Sequence, residues 1–340
     1  MNRIVTFGEI MLRLQPRQYQ RILQADAFDI VYGGGEANVA VSLAMLGDQS
    51  VFVTKLPKHD LAQAAVNYLR RYGVDTQWIS RGGDRMGIYF VEKGASQRPS
   101  KVIYDRKDSA IAEASTDEFH WEEVLRGANW FHFTGITPAI SQAAAENCLR
   151  ALQTAKRLGL TVSCDLNYRK NLWSREQAGQ VMQELMQYVD VCIGNEEDAA
   201  DVFGIRAEQT ELTAGKVNHA SYKAVAKQLA DRFGFSKVAI TLRTSISASD
   251  NQWAAMLYDG TDFYESKSYN VHIVDRVGGG DSFSAGLIHC LSKGVNPGEA
   301  LEFAAAASCL KHTIEGDANL VSEAEIRQLM MGDGSGRVQR

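Results

Sequence analysis

The chain has 340 residues, with 36 Lys and Arg against 41 Asp and Glu and a formal net charge of −5, which is ample for one α/β core carrying a small accessory sheet. Its mild acidity, without a lysine/arginine run or basic and aromatic residues interleaved, argues against nucleic acid as a partner. No run of 18 apolar residues occurs and strand-like Ile4-Val5-Thr6-Phe7 begins at once, so no membrane span or signal peptide is expected and a cytoplasmic location is.

After that first strand, residues near 11 to 32 read as short strands separated by turns. Gly33-Gly34-Gly35 then leads into a helix whose Ala37, Ala40, Val41, Ala44 and Met45 fall at helical spacing, with Gly47 placed to cap it. Strand-like Val51 to Thr54 precedes a helix near Leu61 to Tyr72. A second group of short strands spans about 82 to 108: Gly82-Gly83-Asp84 opens Met86 to Val91, and a polar loop precedes Val102-Ile103-Tyr104. Alternation then resumes. Trp130 to Phe133 is followed by a helix near Gln142 to Leu158, and Leu160 to Cys164 by one near Arg175 to Tyr188. Val189 to Ile193 and Lys237 to Leu242 read as buried strands. Val271, Ile273 and Val274 mark a strand before a helix carrying Phe283, Leu287 and Leu291, which ends at Gly294 ahead of Pro297. Strands alternating with helices predict a mostly parallel sheet covered on both faces. The two groups of short strands predict a small separate sheet. Residues 1–331 form one domain in this reading, with Gly332-Asp333-Gly334-Ser335-Gly336 opening a disordered tail over 332–340.

Cys148, Cys164, Cys192, Cys290 and Cys309 are odd in number, widely spaced and mostly set in apolar runs, so they are expected to be free buried thiols. The seven histidines form no H-x-x-x-H pair. His132, inside Trp130-Phe131-His132-Phe133, reads as a core strand residue, and His312 is open.

Chemistry concentrates in three places. In Asp275-Arg276-Val277-Gly278-Gly279-Gly280-Asp281 a glycine triplet and a carboxylate lie at a strand-to-helix turn. Glycines let the backbone approach a ligand closely, and the free N–H groups of a helix start favour negative charge. Asp281 in the first turn could accept a proton from an attacking hydroxyl while those amides hold a phosphoryl group. Plain turn and capping chemistry is an equal alternative for the triplet alone. No G-x-x-x-x-G-K-[ST] occurs, and neither glycine cluster reads G-x-G-x-x-G after a strand, which excludes the common nucleotide-triphosphatase and dinucleotide motifs. At the second place, Gly33-Gly34-Gly35-Glu36-Ala37-Asn38, the amide of Asn38 can point back over the glycines toward a hydroxylated ligand; Glu36 and Asn38 could equally serve only the helix start. At the third, Gly194-Asn195-Glu196-Glu197-Asp198 puts polar and acidic groups at the end of a buried strand, where open α/β sheets bind ligands. Acidic residues there also suit a helix N-terminus.

Taken together these segments resemble the PfkB, or ribokinase-like, family of carbohydrate kinases, from Ile4 to about Leu329. The first glycine cluster matches the family's N-terminal sugar signature and the 275–281 segment its D-T-x-G-A-G-D signature, with Arg276 and Gly279 standing where Thr and Ala are commoner. The resemblance implies a three-layer α/β/α sandwich with a mostly parallel central sheet and a small β-sheet lid, from about 11–32 and 82–108, which often makes oligomer contacts. It implies ATP and Mg²⁺, with Asp281 as base, Gly278, Gly279 and Gly280 as the anion hole, and Asn195, Thr241, Arg243, Gly278 and Gly280 along the nucleotide. Asn195, Glu197 and Asp198 would organise the metal, through water. Arg243 replaces a glycine common at that position.

Within the family, Gly87-Ile88-Tyr89, Tyr104-x-Arg106, Phe133 to Ala139 and Asn167-Tyr168-Arg169 are similar to kinases of 2-keto-3-deoxygluconate. That similarity implies Gly34, Asn38, Tyr89, Tyr104, Arg106, Arg169 and Asp281 as sugar-acid contacts. A guanidinium fork matches a carboxylate with two parallel hydrogen bonds, so two converging arginines would suit an acid sugar. Arg106 and Arg169 could instead be solvated or paired with Asp105 and Asp165. Other substrates, such as fructose or 2-keto-3-deoxygalactonate, and a silent homologue that only binds a sugar acid, are the alternatives.

Overall fold

The computed structural model describes residues 2–206 and 219–332; the expected disordered tail lies outside them, apart from Gly332. In chain order the strands are β1 (Arg3–Phe7), β2 (Met11–Pro16), β3 (Phe28–Gly33), β4 (Gln49–Leu56), β5 (Ile79–Arg81), β6 (Ile88–Glu92), β7 (Lys101–Asp105), β8 (Trp130–Thr134), β9 (Thr161–Asp165), β10 (Val191–Gly194), β11 (Lys237–Ser245), β12 (Asp250–Tyr258), β13 (Phe263–Glu265) and β14 (Tyr269–His272). The helices are α1 (Gly35–Met45), α2 (Asp60–Arg71), α3 (Trp121–Leu125), α4 (Gln142–Arg157), α5 (Arg175–Leu185), α6 (Glu196–Phe203), α7 (His219–Phe233), α8 (Gly279–Ser292), α9 (Pro297–Lys311) and α10 (Glu323–Met330).

The large sheet runs β13-β12-β11-β10-β9-β8-β1-β4-β5, with β14 also paired to β12. From β11 to β5 every pair is parallel; β12, β13 and β14 add an antiparallel edge. Strands buried on both faces must be apolar at odd and even positions alike. Accordingly Val5, Phe7, Phe131 and Phe133 join the core under α4, α5 and α7, while Ile4 and Trp130 join the core under α1, α8 and α9. Each phenylalanine fully buried this way contributes about 1.5–3 kcal/mol. Helices α8 and α9 approach closely at Gly286, where a Cβ would lie 3.0 Å from the Ala304 Cα.

The small sheet has the order β3-β2-β6-β7 and is built from the two groups of short strands. Its β2–β6 pair is parallel and the outer pairs antiparallel. The expected helices agree with α1, α2, α4, α5 and α8 to within about two residues at most ends. The strand expected over Val271–Val274 instead stops at His272: the Val274 N–H leaves the ladder and donates to the His312 carbonyl at 2.8 Å. All five cysteines are buried and free. His132 is buried with Nδ1 2.8 Å from Ser163 Oγ, and burial lowers its pKa to about 3. Among the described residues no helix is long and apolar enough to cross a membrane.

Candidate active site

Parallel strands deliver their C-terminal ends to one edge of a sheet, and ligands of open α/β folds bind there. In this chain β1 ends before Gly8-Glu9, β8 at Thr134, β9 at Asp165 and β10 at Gly194, and α1 and α8 start at the same edge. These ends surround a cavity of about 430 Å³. All fifteen residues singled out in the sequence lie on its walls: Gly34, Asn38, Tyr89, Tyr104, Arg106, Arg169, Asn195, Glu197, Asp198, Thr241, Arg243, Gly278, Gly279, Gly280 and Asp281.

The start of α8 forms the floor. Gly278 has φ +85°, and a Cβ there would sit 1.7 Å from the Asp317 carbonyl oxygen. A Cβ on Gly279 would strike the His312 ring at 2.4 Å. Gly280 differs, because nothing lies within 4 Å of its would-be Cβ. Packing explains the first two glycines, whereas at the third the missing side chain leaves backbone open to the cavity. Asp281 follows in the first turn, where its Oδ2 accepts from Asn38 Nδ2 at 2.7 Å. Asn38 Oδ1 in turn accepts the Gly34 N–H at 3.4 Å, so one amide links the two glycine clusters. Burial pushes the Asp281 pKa up to about 7; Asp317 and Glu36 add to the rise, and Asn38 and Arg169 oppose it. A carboxyl that ionises near neutrality beside free helix N–H groups is equipped to take a proton while an anion is held next to it.

Glu36 is not only a helix-start residue. Its buried Oε1 accepts from the Thr134 N–H at 2.9 Å, Thr134 Oγ1 at 2.8 Å and Thr137 Oγ1 at 2.5 Å, tying the end of β8 to α1. Burial raises its pKa despite those bonds. Asn195 and Asp198 cap α6 reciprocally: Asn195 Oδ1 accepts the Asp198 N–H at 2.9 Å, and Asp198 Oδ2 accepts the Asn195 N–H at 3.2 Å. Asp198 Oδ1 also accepts the Tyr168 N–H at 3.0 Å, and burial lifts its pKa to about 6. Asp165 is raised well above the ordinary carboxylate range by burial and by the neighbouring Asp198 and Asp281. Glu197 is exposed at the rim.

The two arginines expected at a substrate carboxylate are placed differently. Arg106 is not paired with Asp105, which takes Arg85 at 2.7 Å. It donates instead to Glu9, whose other oxygen accepts from Ser109 Oγ at 2.7 Å. Its guanidinium lies over the Tyr104 ring, 5.7 Å from the centroid, and its buried Nε has no partner. Tyr104 stacks on Tyr89, whose hydroxyl donates to Asp317. Arg169 is exposed to the cavity, donates to the Tyr168 carbonyl at 3.3 Å, and has no ion pair with Asp165 or any other carboxylate among the described residues. The turn that presents it contains Asn167 at φ +37°, a left-handed conformation that asparagine tolerates better than most residues.

Sequence reasoning missed Glu9, Arg13 and Asp317. Arg13, on β2, is fully buried; it donates to Asp275 at 2.6 Å and also to Asp317 and Gln15. Asp317 touches the positions where side chains on Gly33 and Gly278 would go, so it lies at the junction of the two glycine clusters. Glu9, two residues beyond β1 at the ligand-bearing edge, could have been suspected from topology; Asp317 follows no motif.

Comparison with known proteins agrees with this architecture. The profile of the pfkB family carbohydrate kinases matches residues 1–324. The crystal structure of a 2-dehydro-3-deoxygluconokinase from Thermotoga maritima shares 51% identity, covers 98% of this chain and 100% of its own, and superposes with a TM-score of 0.94. A 2-dehydro-3-deoxygalactonokinase from Haloferax volcanii is 33% identical over 333 residues, 98% of each chain. A 2-dehydro-3-deoxygluconokinase from Bacillus subtilis is 28% identical over 320 residues, 92% of this chain and 90% of its own. With the ribokinase-like α/β fold, its small separate sheet, and matches that run nearly end to end, the chain belongs to the pfkB family of carbohydrate kinases.

Proposed function

We propose that the chain is an ATP-dependent kinase of 2-keto-3-deoxygluconate, transferring the γ-phosphoryl group to the primary hydroxyl and giving the 6-phosphate. The observation that carries the chemistry is Asp281, with a pKa near 7, held by Asn38 in the first turn of α8 beside the open backbone at Gly280. Asp281 takes the hydroxyl proton as the oxygen attacks phosphorus. The N–H groups at the start of α8 stabilise the charge that develops on the phosphoryl oxygens. Gly34, Asn38, Tyr89, Tyr104, Arg106 and Arg169 orient the sugar acid, and the small sheet over the cavity excludes water.

Magnesium fits the donor set. Asp165 and Asp198 are buried carboxylates whose pKa values are both raised; a hard cation suits oxygen ligands, and Mg²⁺ keeps several waters and needs only one or two carboxylates plus phosphate. Among the described residues there is no cluster of three or more acidic, histidine or cysteine side chains to hold a metal alone, in keeping with an ion held mainly through water and phosphate by Asn195, Glu197 and Asp198. When bound it would neutralise phosphate charge.

The substrate class rests on Arg169, an unpaired cation on the cavity wall, and on the name of the Thermotoga maritima relative. The Haloferax volcanii relative favours a second reading, 2-keto-3-deoxygalactonate, which differs only at C4. ATP turnover over a panel of 2-keto-3-deoxygluconate, 2-keto-3-deoxygalactonate, fructose and ribose tests both: the gluconate should lead, and no ADP release on any member would mark a silent homologue. Contact between copies through the small sheet in the cytoplasm completes the reading, supported by exposed Ile30 and Ile103 on that sheet.

A further inference from the structure

Glu9 stands on the same wall of the cavity as Tyr104 and Arg106, where its charge opposes the approach of an anionic substrate. It is also buried, which a glutamate rarely is unless paired. A negative group in that place calls for a compensating task. Both of its oxygens are engaged by the segment that follows β7: Oε2 accepts from Arg106 Nη2, and Oε1 from Ser109 Oγ at 2.7 Å. Between those two residues Asp108 has φ +55°, a left-handed conformation. One carboxylate therefore staples both ends of the turn by which the chain leaves the small sheet.

Glu9 is itself fixed. It lies two residues beyond β1, inside the large sheet. Its carbonyl oxygen is 1.9 Å from where a Cβ on Gly34 would sit, and its Oε1 is 2.7 Å from where one on Gly87 would sit. Glycines at the N-cap of α1 and just before β6 thus make room for it. A Cβ on Gly87 would also lie 3.2 Å from the Arg106 Cβ, so one glycine admits both partners. The Arg106 guanidinium rests over the Tyr104 ring, which stacks on Tyr89. Its Nη1, unlike its Nη2, makes no hydrogen bond to a described residue, and Arg106 lines the cavity. One end of the fork is held and the other is left for a ligand.

Arg169 is the contrast. Its guanidinium donates only to the carbonyl of the preceding residue, so its rotamers are frozen when substrate arrives. Ordering a long side chain during binding subtracts from affinity, whereas ordering it during folding does not. We propose that Glu9 is a positioning residue that presets Arg106 for the carboxylate of the sugar acid, and so favours acid substrates while acting only through Arg106. The inference rests on the sugar-acid reading and deepens it by naming what aims one of the two arginines.

Glu9→Gln and Glu9→Ala both remove the charge, but only Gln keeps an oxygen for Arg106 and an amide for Ser109. The difference between the two variants therefore reads positioning alone. In steady-state kinetics, kcat/KM for 2-keto-3-deoxygluconate should be about 2- to 10-fold lower in Glu9→Ala than in Glu9→Gln, through KM for the acid, with KM for ATP equal in both. In an Arg106→Ala background that difference should vanish, since no guanidinium is left to aim. Neither double variant carries an unpaired buried carboxylate, and thermal melts beside the kinetics check that both fold. Glu9→Met, which fills the space without an acceptor, replaces Glu9→Ala if the latter does not fold. Equal kcat/KM for the acid in the two variants, a difference that persists without Arg106, or one shared by KM for ATP would each overturn the role. Equal wild-type efficiency on the acid, fructose and ribose would overturn the sugar-acid reading and this role with it. An acid preference in the wild type with no difference between the Ala and Gln variants would overturn the role alone.

Discussion

The floor of the cavity and its sugar-facing wall are built on different principles. At the floor, the backbone does the work: Gly278 and Gly279 are forced by the Asp317 carbonyl and the His312 ring, and Asp281 falls in line because it is the third residue of the helix they open. At the wall, function depends on where long side chains reach. Arg106, on the segment after β7, is engaged by Glu9 from beyond β1, 97 residues away, while Arg169 projects from a turn with no carboxylate attached. A backbone-built element is specified by adjacent residues. A side-chain-built one is specified by whatever the fold brings alongside.

The largest expected effect is at the floor. Asp281→Asn preserves shape and the approach of Asn38 but cannot take a proton, so turnover should fall by roughly 10²–10⁴-fold with ATP affinity little changed. Steady-state kinetics with a parallel ATP titration checks this. Near-normal kcat in a folded variant would remove Asp281 from the mechanism.

The wall offers the contrasting pair. Arg169→Ala should cost tens- to thousands-fold in kcat/KM for the sugar acid, from a loss of about 2–5 kcal/mol when a desolvated carboxylate loses a partner, with melting unchanged because Arg169 is exposed. Arg106→Ala should lose activity and also stability. It leaves Glu9, only 3% exposed, as an uncompensated buried charge, which costs about 3–5 kcal/mol. Thermal melts of both variants beside kinetics on the acid and on fructose separate the two roles. Equal destabilisation by both changes, or an acid reaction indifferent to both, would dissolve the distinction.

That same contrast decided what could be read from the sequence. The large sheet, the small sheet and the start of α8 were legible because period, glycine placement and capping are local. Arg13 was not, since Met11-Leu12-Arg13-Leu14 gives no local sign that a guanidinium goes inward; only Asp275 and Asp317, hundreds of residues on, make its burial tolerable. Arg276 was noticed as a departure from a motif, yet its unpaired Nε could be seen only once the fold brought it to the Ala248 carbonyl. The end of the strand near 271 was misjudged because the His312 carbonyl captures the Val274 N–H.

A smaller effect is expected at α6, which mixes both principles. Asp198 caps the helix and faces the cavity, whereas Glu197 is an exposed rim residue. Asp198→Ala should raise the Mg²⁺ concentration needed for half-maximal rate more than it raises KM for the sugar, and should lower the melting temperature through the lost cap. Glu197→Ala should change neither by much. If Glu197→Ala alone shifts the metal dependence, the metal is organised from the rim and the capping role of Asp198 is its whole role.

The mildest test uses pH alone. Only ionised Asp281 can accept the hydroxyl proton, so with a pKa near 7 kcat/KM should fall about tenfold per pH unit on the acid side of neutrality and level off above it. Stability should move the other way. Burial raises the folded-state pKa above that of the unfolded chain, so the carboxyl's contribution to stability is fully present below the unfolded value near 3.8 and is lost as pH rises through about 7. The wild type should therefore lose melting temperature between about pH 4 and 7 relative to Asp281→Asn, whose neutral amide has no proton to lose. Activity rising while stability declines across the same interval ties both to one group. A wild type and an Asp281→Asn variant whose melting curves shift in parallel over that interval would assign the titration elsewhere, with Asp198, raised to about 6, the next carboxyl to replace.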